Sequence, residues 1–381
     1  MLLQADSPIV KTTLQGGDHV ANAHAQRDYA LTGPENKRAQ ERGLVAAEWY
    51  KTPIPRQRMK ELMKRKDGPA IRDTILMFAW LIGTGYLAYL AWGTWWAIPA
   101  FALYGISYAS LADSRWHECG HGTAFKTAWM NDVVYQIASF MDLRPPTPWR
   151  WSHVRHHTDT YIVGRDPEIA MTRPPVWRIL FGEIVHLYGG YRDLKSVITH
   201  CFGKLTATEA DYVPESEFRK AVWISRLWAL IFAGFVVWSV LIGSILPFMF
   251  VFLPTFYGPI LLILVGICQH LGLHEDVLDH RLNTRTILIN PFVRFLYWNM
   301  NYHIEHHMFP MVPYHALPAL HKEMAFDCPA PSPSLWHALK EVVRALRKQK
   351  NNPAYVVDRP LPSTASPYFY GTEMNLDDKL G

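Results

Sequence analysis

The sequence is poor in cysteine, with four residues in a chain of 381. They are Cys119, Cys201, Cys268 and Cys328, and no two of them are closely spaced. Disulfide frameworks and zinc–thiolate sites need paired cysteines, so this spacing argues against both. The net charge is also small, at +5, and requires no nucleic acid partner.

Charged residues are nearly absent from two long blocks of the sequence. Each block contains two apolar runs separated by only a few residues, and each run is long enough to cross a bilayer. The four runs cover residues 74–92, 96–111, 222–242 and 246–268. One such run is compatible with the core of a soluble protein, but two back to back are better explained by a membrane. The pattern predicts an all-α membrane protein whose four transmembrane helices form two hairpins.

The polar segments place these hairpins relative to the membrane. Residues 1–70 contain no recognisable secretory signal, and basic residues crowd into 51–72, which the positive-inside rule assigns to the cytoplasm. Two hairpins return both termini and the central region to that side, where they form a cytosolic helical cap. We therefore expect a cytosolic arm (1–70), a membrane catalytic domain (71–325) and a cytosolic C-terminal helix and tail (326–381). Ser334 is expected to cap the helix of the last segment.

Histidine is the abundant functional residue. Eight of the 18 histidines fall into three clusters with helical spacing, which puts each cluster on one face of a helix. The first cluster reads His-Glu-Cys-Gly-His, the second His-Val-Arg-His-His and the third His-Ile-Glu-His-His. The clustered residues are His117, His121, His153, His156, His157, His303, His306 and His307. All three clusters lie outside the apolar runs and reach the same membrane face without crossing.

Clustered imidazoles predict a metal site, although histidine alone does not name the metal. One zinc ion is satisfied by three or four protein ligands, so eight histidines suit two ions, and redox-active iron is the favoured pair. The second ring nitrogen of each ligand needs a partner, for which nearby carboxylates are candidates. The candidates are Asp113, Glu118, Asp159, Asp166 and Glu305. Helix capping or salt bridges with Arg115, Arg155 and Arg165 explain these carboxylates equally well.

The order and spacing of the three clusters, with one hairpin before the first and one between the second and third, resemble the membrane fatty acid desaturase and hydroxylase superfamily. The resemblance covers roughly residues 75–320 and includes Met308-Phe309-Pro310 and Asp166-Pro167. It implies that the eight clustered histidines bind two iron ions. The family usually supplies a further histidine after the fourth span. His270 is the first choice, because Gln-His-Leu-Gly-Leu is similar to a segment of alkane hydroxylases, and His274 is the alternative.

The resemblance also implies the reaction. A non-haem di-iron centre activates O2 and removes hydrogen from an unactivated C–H bond, giving an alkene from an acyl lipid in a desaturase. The alternative within enzymes is a monooxygenase that hydroxylates or demethylates an alkane or a small polar metabolite. The His-Pro-Gly-Gly motif of a fused cytochrome b5 domain is missing, so an external donor such as ferredoxin is expected. A histidine-rich metal transporter would need ionisable residues inside the spans, where there are almost none.

Overall fold

The computed structural model describes residues 27–184 and 186–370. Helices dominate these residues, and the β-structure within them is one isolated parallel bridge between Ile287 and Ser332. The predicted all-helical class is therefore confirmed for the described part of the chain.

The N-terminal arm contains two short helices, α1 (Pro34–Glu41) and α2 (Arg56–Leu62). The sequence suggests a helix over residues 37–50, but α1 ends earlier. Gly43 and Ala46 adopt left-handed backbone conformations, with φ of 67° and 53°, and these interrupt a continuous helix. The segment that follows is joined to a distant part of the chain, because the backbone N–H of Tyr50 donates to the backbone oxygen of Leu278 at 2.9 Å.

The first apolar block forms a helical hairpin of α3 (Asp67–Ala91) and α4 (Ala97–Gly120). Gly93, at φ 82°, makes the left-handed turn between them, which a residue with a side chain would adopt at a cost. The helices are held side by side by apolar packing and by a hydrogen bond of 2.8 Å from Trp80 Nε1 to Ser107 Oγ. The last third of α4 is polar and buried, and it extends beyond the predicted apolar run.

Five helices connect the two apolar blocks. They are α5 (Ala128–Met141), α6 (Pro146–Thr158), α7 (Trp177–Ile184), α8 (Leu187–Cys201) and α9 (Glu209–Tyr212). A 3-10 turn at Glu215–Glu217 then leads into the second block. The amphipathic region over residues 177–205 contains two of these helices, α7 and α8.

The second apolar block contains α10 (Phe218–Ile242) and a partner that is divided into three pieces. Gly243, at φ 60°, ends α10 in the left-handed conformation. The pieces are α11 (Leu246–Val251), α12 (Pro254–Tyr257) and α13 (Ile260–His270). Each piece starts at or beside Pro247, Pro254 or Pro259, because proline removes a backbone donor and tolerates only the first turn of a helix. These prolines therefore divide the fourth apolar run into separate helices.

The remaining helices are short except for the last. They are α14 (His280–Asn283), α15 (Pro291–Leu296), α16 (His303–Met308), α17 (Leu317–Met324), which follows a 3-10 turn at Tyr314–Ala316, and α18 (Leu335–Gln349). Ser334 caps α18 as predicted, since its Oγ accepts from the backbone N–H of His337 at 3.1 Å. Ala338, Val342 and Leu346 of α18 pack in one cluster with Cys268 of α13, so the C-terminal helix is part of the core.

Two helical segments are long and apolar enough to cross a membrane, Arg56–Ala91 and Glu215–Ile242. Their outer faces carry large exposed apolar side chains, including Ile82 on α3 and Leu241 on α10, which are 72% and 79% exposed. Apolar faces of this extent are unusual on a soluble monomer and match a lipid environment. In the second half of α4 most residues are buried, and α13 is shorter than either of these two segments.

Candidate metal centre

The three histidine clusters lie where helices meet at one end of the hairpins. His117 is in the last turn of α4 and His121 follows its end, while His153, His156 and His157 are on α6. The third cluster forms most of α16. A fourth element contributes His270, the last residue of α13. The predicted helical spacing is therefore correct for the second and third clusters, and nearly so for the first.

Nine histidines gather into two groups. The first group is His117, His121, His153, His157 and His306, and the second is His156, His270, His303 and His307. Within each group one nitrogen of every ring lies within 4.8 Å of the others. Each group draws on several helices, so the chain builds both only when its distant parts are folded together. His270 joins the second group, whereas His274 does not belong to either, and its ring lies 6.0 Å from that of Tyr370.

The Nε2 atoms point at each other in both groups. In the first group Nε2 of His306 lies 2.7 Å from Nε2 of His117 and 3.1 Å from that of His157. In the second group Nε2 of His303 lies 3.1 Å from those of both His270 and His307. Converging nitrogen atoms of this kind are the usual donor set of a transition metal ion.

Hydrogen bonds at the other ring nitrogens decide which Nε2 atoms present a lone pair. Nδ1 of His270 must donate to the backbone oxygen of Asn283, 2.9 Å away, so its neutral ring has a bare Nε2. Thr160 donates its hydroxyl to the oxygen of His156 and so accepts from Nδ1 of His307 at 3.2 Å. Two bare nitrogens therefore face Nε2 of His303, which can carry at most one proton, so at least one of the two contacts lacks a hydrogen between its nitrogens. A cation between the rings removes this repulsion, so these residues fit a bound metal ion.

Electrostatics keep most of these rings neutral. Burial, together with the neighbouring imidazoles, holds the pKa values of seven rings well below the usual histidine value. The seven are His117, His121, His157, His270, His303, His306 and His307. Neutral imidazole is the form that binds metals, so the groups are ready for ligation at neutral pH without first losing protons.

Two carboxylates contact the histidines. Asp166, which the sequence singles out, lies 2.9 Å from Nδ1 of His156, and although burial lowers the pKa of that ring, the carboxylate raises it to about 9. Glu168, which the sequence analysis does not identify, lies 3.2 Å from Nδ1 of His153. Burial acts to raise the pKa of Glu168, but the two nearby histidines outweigh it and lower the pKa to about 2. Its position two residues after Asp166 is the signal that was available.

The other candidate carboxylates have different partners. Asp113 pairs with Arg144, Asp159 pairs with Arg165 at 2.8 Å, and Glu305 bonds to Thr286 and His321. Glu118 accepts from the Thr123 hydroxyl at 2.8 Å and from the backbone N–H of Tyr314 at 2.9 Å. Burial raises the pKa of Glu118 to about 7 despite these bonds. For these residues the structural roles prevail in the described part of the chain.

A cavity of about 270 Å³ reaches both histidine groups. Its wall includes the rings of His117 and His153 from the first group and His156, His270 and His303 from the second. The lining also includes aliphatic residues of α13, aromatic residues and charged residues. The aliphatic residues are Leu262, Ile263 and Ile267, the aromatic ones are Trp116, Trp149 and Tyr297, and the charged ones are Arg144, Glu183 and Arg192.

Comparison with known proteins identifies the family. A family model described as fatty acid desaturase matches residues 93–339, which is more than half of the chain. The chain belongs to the fatty acid desaturase family. The match contains all nine histidines of the two groups and extends from the turn of the first hairpin into α18. The family match therefore confirms the resemblance that the histidine clusters indicate.

Known proteins that are similar in sequence to this chain are named desaturases. It is 32% identical over 124 residues to the Delta(12)-fatty-acid desaturase of Arabidopsis thaliana, covering 30% of this chain and 31% of that protein. It is 24% identical over 268 residues to the Delta(5) fatty acid desaturase fat-4 of Caenorhabditis elegans, covering 60% and 57%. The chain thus matches less than two thirds of the length of either relative. These comparisons support neither the monooxygenase nor the transporter alternative.

Proposed function

We propose that the chain is an O2-dependent di-iron membrane oxidoreductase that introduces a double bond into a fatty acyl chain. The observation that supports this most is the gathering of nine histidines into two adjacent groups in a chain of the fatty acid desaturase family. Relatives named for desaturation of fatty acids and acyl lipids support the choice of an acyl substrate.

The two groups hold one iron ion each in this proposal. His117, His121, His153, His157 and His306 bind the first ion, and His156, His270, His303 and His307 bind the second. When bound, the pair of irons supplies the redox chemistry that activates O2. The chain contributes the geometry: Asp166, Glu168, Thr160 and the oxygen of Asn283 fix the ring orientations and keep the Nδ1 protons away from the metal side.

The proposed reaction removes two hydrogens from neighbouring methylene groups. O2 takes four electrons and four protons in becoming two molecules of water; two electrons and two protons come from the acyl chain. The other two electrons come from an external carrier such as ferredoxin, with two protons from water. The cavity beside the two groups is the proposed acyl site, because its aliphatic wall on α13 offers apolar contact and leads to the histidines.

We further propose that the chain crosses the membrane four times as two hairpins, with both termini and the histidine groups on the cytoplasmic side. The exposed apolar faces of α3 and α10 support lipid contact. A hydrogen bond also supports the arrangement. The Asp67 carboxylate, at the start of α3, accepts from the backbone N–H of Thr127, in the segment after α4, at 2.9 Å. This bond joins the entry to the first hairpin with the segment that follows its exit.

Expression in a bacterial host that makes no polyunsaturated acids tests the function. Gas chromatography and mass spectrometry of the fatty acid methyl esters should reveal a new unsaturated species only when the chain and a ferredoxin system are present. The purified protein should contain close to two irons. His306→Ala should abolish the new species while the protein remains in the membrane, and His337→Ala, on the exposed side of α18, serves as the matched control. An unchanged acyl profile together with full iron loading would contradict an acyl substrate.

A further inference from the structure

A tryptophan of the N-terminal arm is stacked on a histidine that contacts the second histidine group. The ring of Trp49 is stacked on that of His280, with centroids 4.3 Å apart and planes at 6°. Trp49 is partly exposed, and its Nε1 donates to the backbone oxygen of Thr158 at 3.1 Å. Thr158 follows His157 of the first group. The indole is therefore fixed at the surface by two contacts beside the proposed metal ligands.

His280 connects this tryptophan to the interior. It is buried, and its ring centroid lies 5.2 Å from that of His307, a member of the second group. His280 itself belongs to neither group. Three aromatic rings, Trp49, His280 and His307, thus form a continuous series from the surface to the centre. Trp49 also packs against the apolar cluster of Ala39, Leu44, Ile162 and Leu278, so the outer ring of the series is held in a fixed position.

Glu48 precedes Trp49, but the segment that follows the tryptophan is rich in basic residues. Residues 51–66 contain seven basic residues and one acidic residue. Lys51, two positions from Trp49, is exposed and close enough to act electrostatically on His280. Arg150 acts in the same way on His121, on the side of the first group. Positive charge around an exposed aromatic residue favours an acidic protein partner, and it steers the encounter as well as holding it.

We propose that an acidic one-electron carrier protein docks over Trp49 and Lys51, and that electrons enter through the ring pair of Trp49 and His280. The inference rests on the proposed function. Each docking event would transfer one electron: the iron–sulfur cluster of the carrier would be oxidised by one electron, which would pass through the two rings to the ion that His307 would help to hold. Two such events supply the two electrons that the acyl chain does not provide.

The test uses the full-length protein in detergent with a plant-type [2Fe–2S] ferredoxin, an acidic one-electron carrier, as the probe. Dissociation constants come from surface plasmon resonance, and single-turnover reduction is followed by stopped-flow absorbance. Trp49→Ala should weaken binding by roughly tenfold or more, as expected for a central aromatic contact. Lys51→Glu should also weaken binding, and the loss of affinity should be larger at low salt than at high salt. Trp336→Ala, which removes an exposed tryptophan of α18, should leave both measurements unchanged.

Substitutions of His280, the inner ring of the pair, distinguish docking from electron transfer. His280→Ala should leave the dissociation constant unchanged, because the residue is buried, but should slow reduction at saturating ferredoxin; His280→Phe, which keeps a ring, should restore part of the rate. Iron content and reduction by dithionite, which needs no docking site, should match the wild type in every variant. If dithionite reduces no iron in the wild type, the proposed function fails, whereas the binding measurements still report on docking.

Three results would overturn the inference. One is a wild-type protein that does not bind the ferredoxin. Another is Trp49→Ala or His280→Ala reduced by ferredoxin at the wild-type rate. The third is that the Lys51→Glu variant loses binding to vesicles of phosphatidylglycerol and phosphatidylcholine but keeps its affinity for ferredoxin. The basic segment would then bind the lipid surface and not the carrier protein.

Discussion

Nδ1 of His156 lies 2.9 Å from Oδ2 of Asp166. The same carboxylate oxygen accepts from the backbone N–H of Tyr161 at 2.8 Å, and the other oxygen accepts from that of Glu168 at 2.8 Å. The loop after α6 thus folds back and fixes a ring on that helix. Since Glu168 bonds to His153 from the same loop, one short segment orients a histidine in each group.

Asp166→Asn should weaken iron binding by about 10- to 100-fold, because an amide keeps the shape of the carboxylate but does not raise the basicity of the ring. The measurement is iron retained after dialysis against graded chelator concentrations, quantified by mass spectrometry. Asp132→Asn, at an exposed carboxylate on α5, is the control. Equal iron retention in Asp166→Asn and the wild type would show that the hydrogen bond does not tune the ligand.

His270→Ala and His274→Ala should differ sharply. His270 supplies one of the four nitrogens of the second group, so its loss should lower the iron content towards one ion per chain. His274 lies outside both groups, so the same substitution there should leave iron content unchanged. Metal analysis of the two purified variants decides the matter, and the reverse pattern would reassign the ninth ligand.

The histidine clusters can be recognised from the sequence because their spacing is local. Spacings of three and four residues place His153, His156 and His157 on one helical face, whatever the rest of the chain does. The partition into two groups is not local: His156 and His157 are neighbours in sequence but belong to different groups. It depends on how α6 is rotated against α4 and α16. Glu168 was missed for the same reason, since its contact arises from a loop that returns to its own helix.

Arg281→Ala should be strongly destabilising. The guanidinium is fully buried, donates to Asp279 at 2.7 Å and to Asp327 at 2.9 Å, and stacks over the ring of Tyr50 at 3.7 Å. Its removal leaves two buried carboxylates without their cation, at a cost of about 3–5 kcal/mol. Thermal unfolding in detergent should show a clear fall in Tm. The exposed Arg347→Ala is the control.

A compensated variant checks the mechanism of that loss. Arg281→Met combined with Asp279→Asn and Asp327→Asn removes all three charges, and it should recover much of the stability. If the triple variant were as unstable as Arg281→Ala, the cost would come from lost packing on Tyr50 and not from the unpaired carboxylates.

Asp193→Asn should stabilise the protein at pH 8. The side chain is buried on α8, and burial raises its pKa to about 6, although Arg192 and Arg144 act in the opposite direction and Glu183 adds to the rise. The folded state therefore holds the proton more tightly than the unfolded state, so stability from this group falls as pH rises from about 4 to about 6 and stays lower above that. At about 1.4 kcal/mol per pKa unit, the effect is at most on the order of 3 kcal/mol.

The difference in Tm between Asp193→Asn and the wild type should be positive at pH 8 and shrink towards zero near pH 3, where the aspartate is protonated in both states. Thermal unfolding of the detergent-solubilised protein at several pH values measures it, with the exposed Asp358→Asn as the control. A constant difference across this pH range would mean that packing and not ionisation distinguishes the two side chains. A lower Tm for Asp193→Asn at pH 8 would mean that the carboxylate is stabilised by Arg144 and Arg192 more than burial destabilises it.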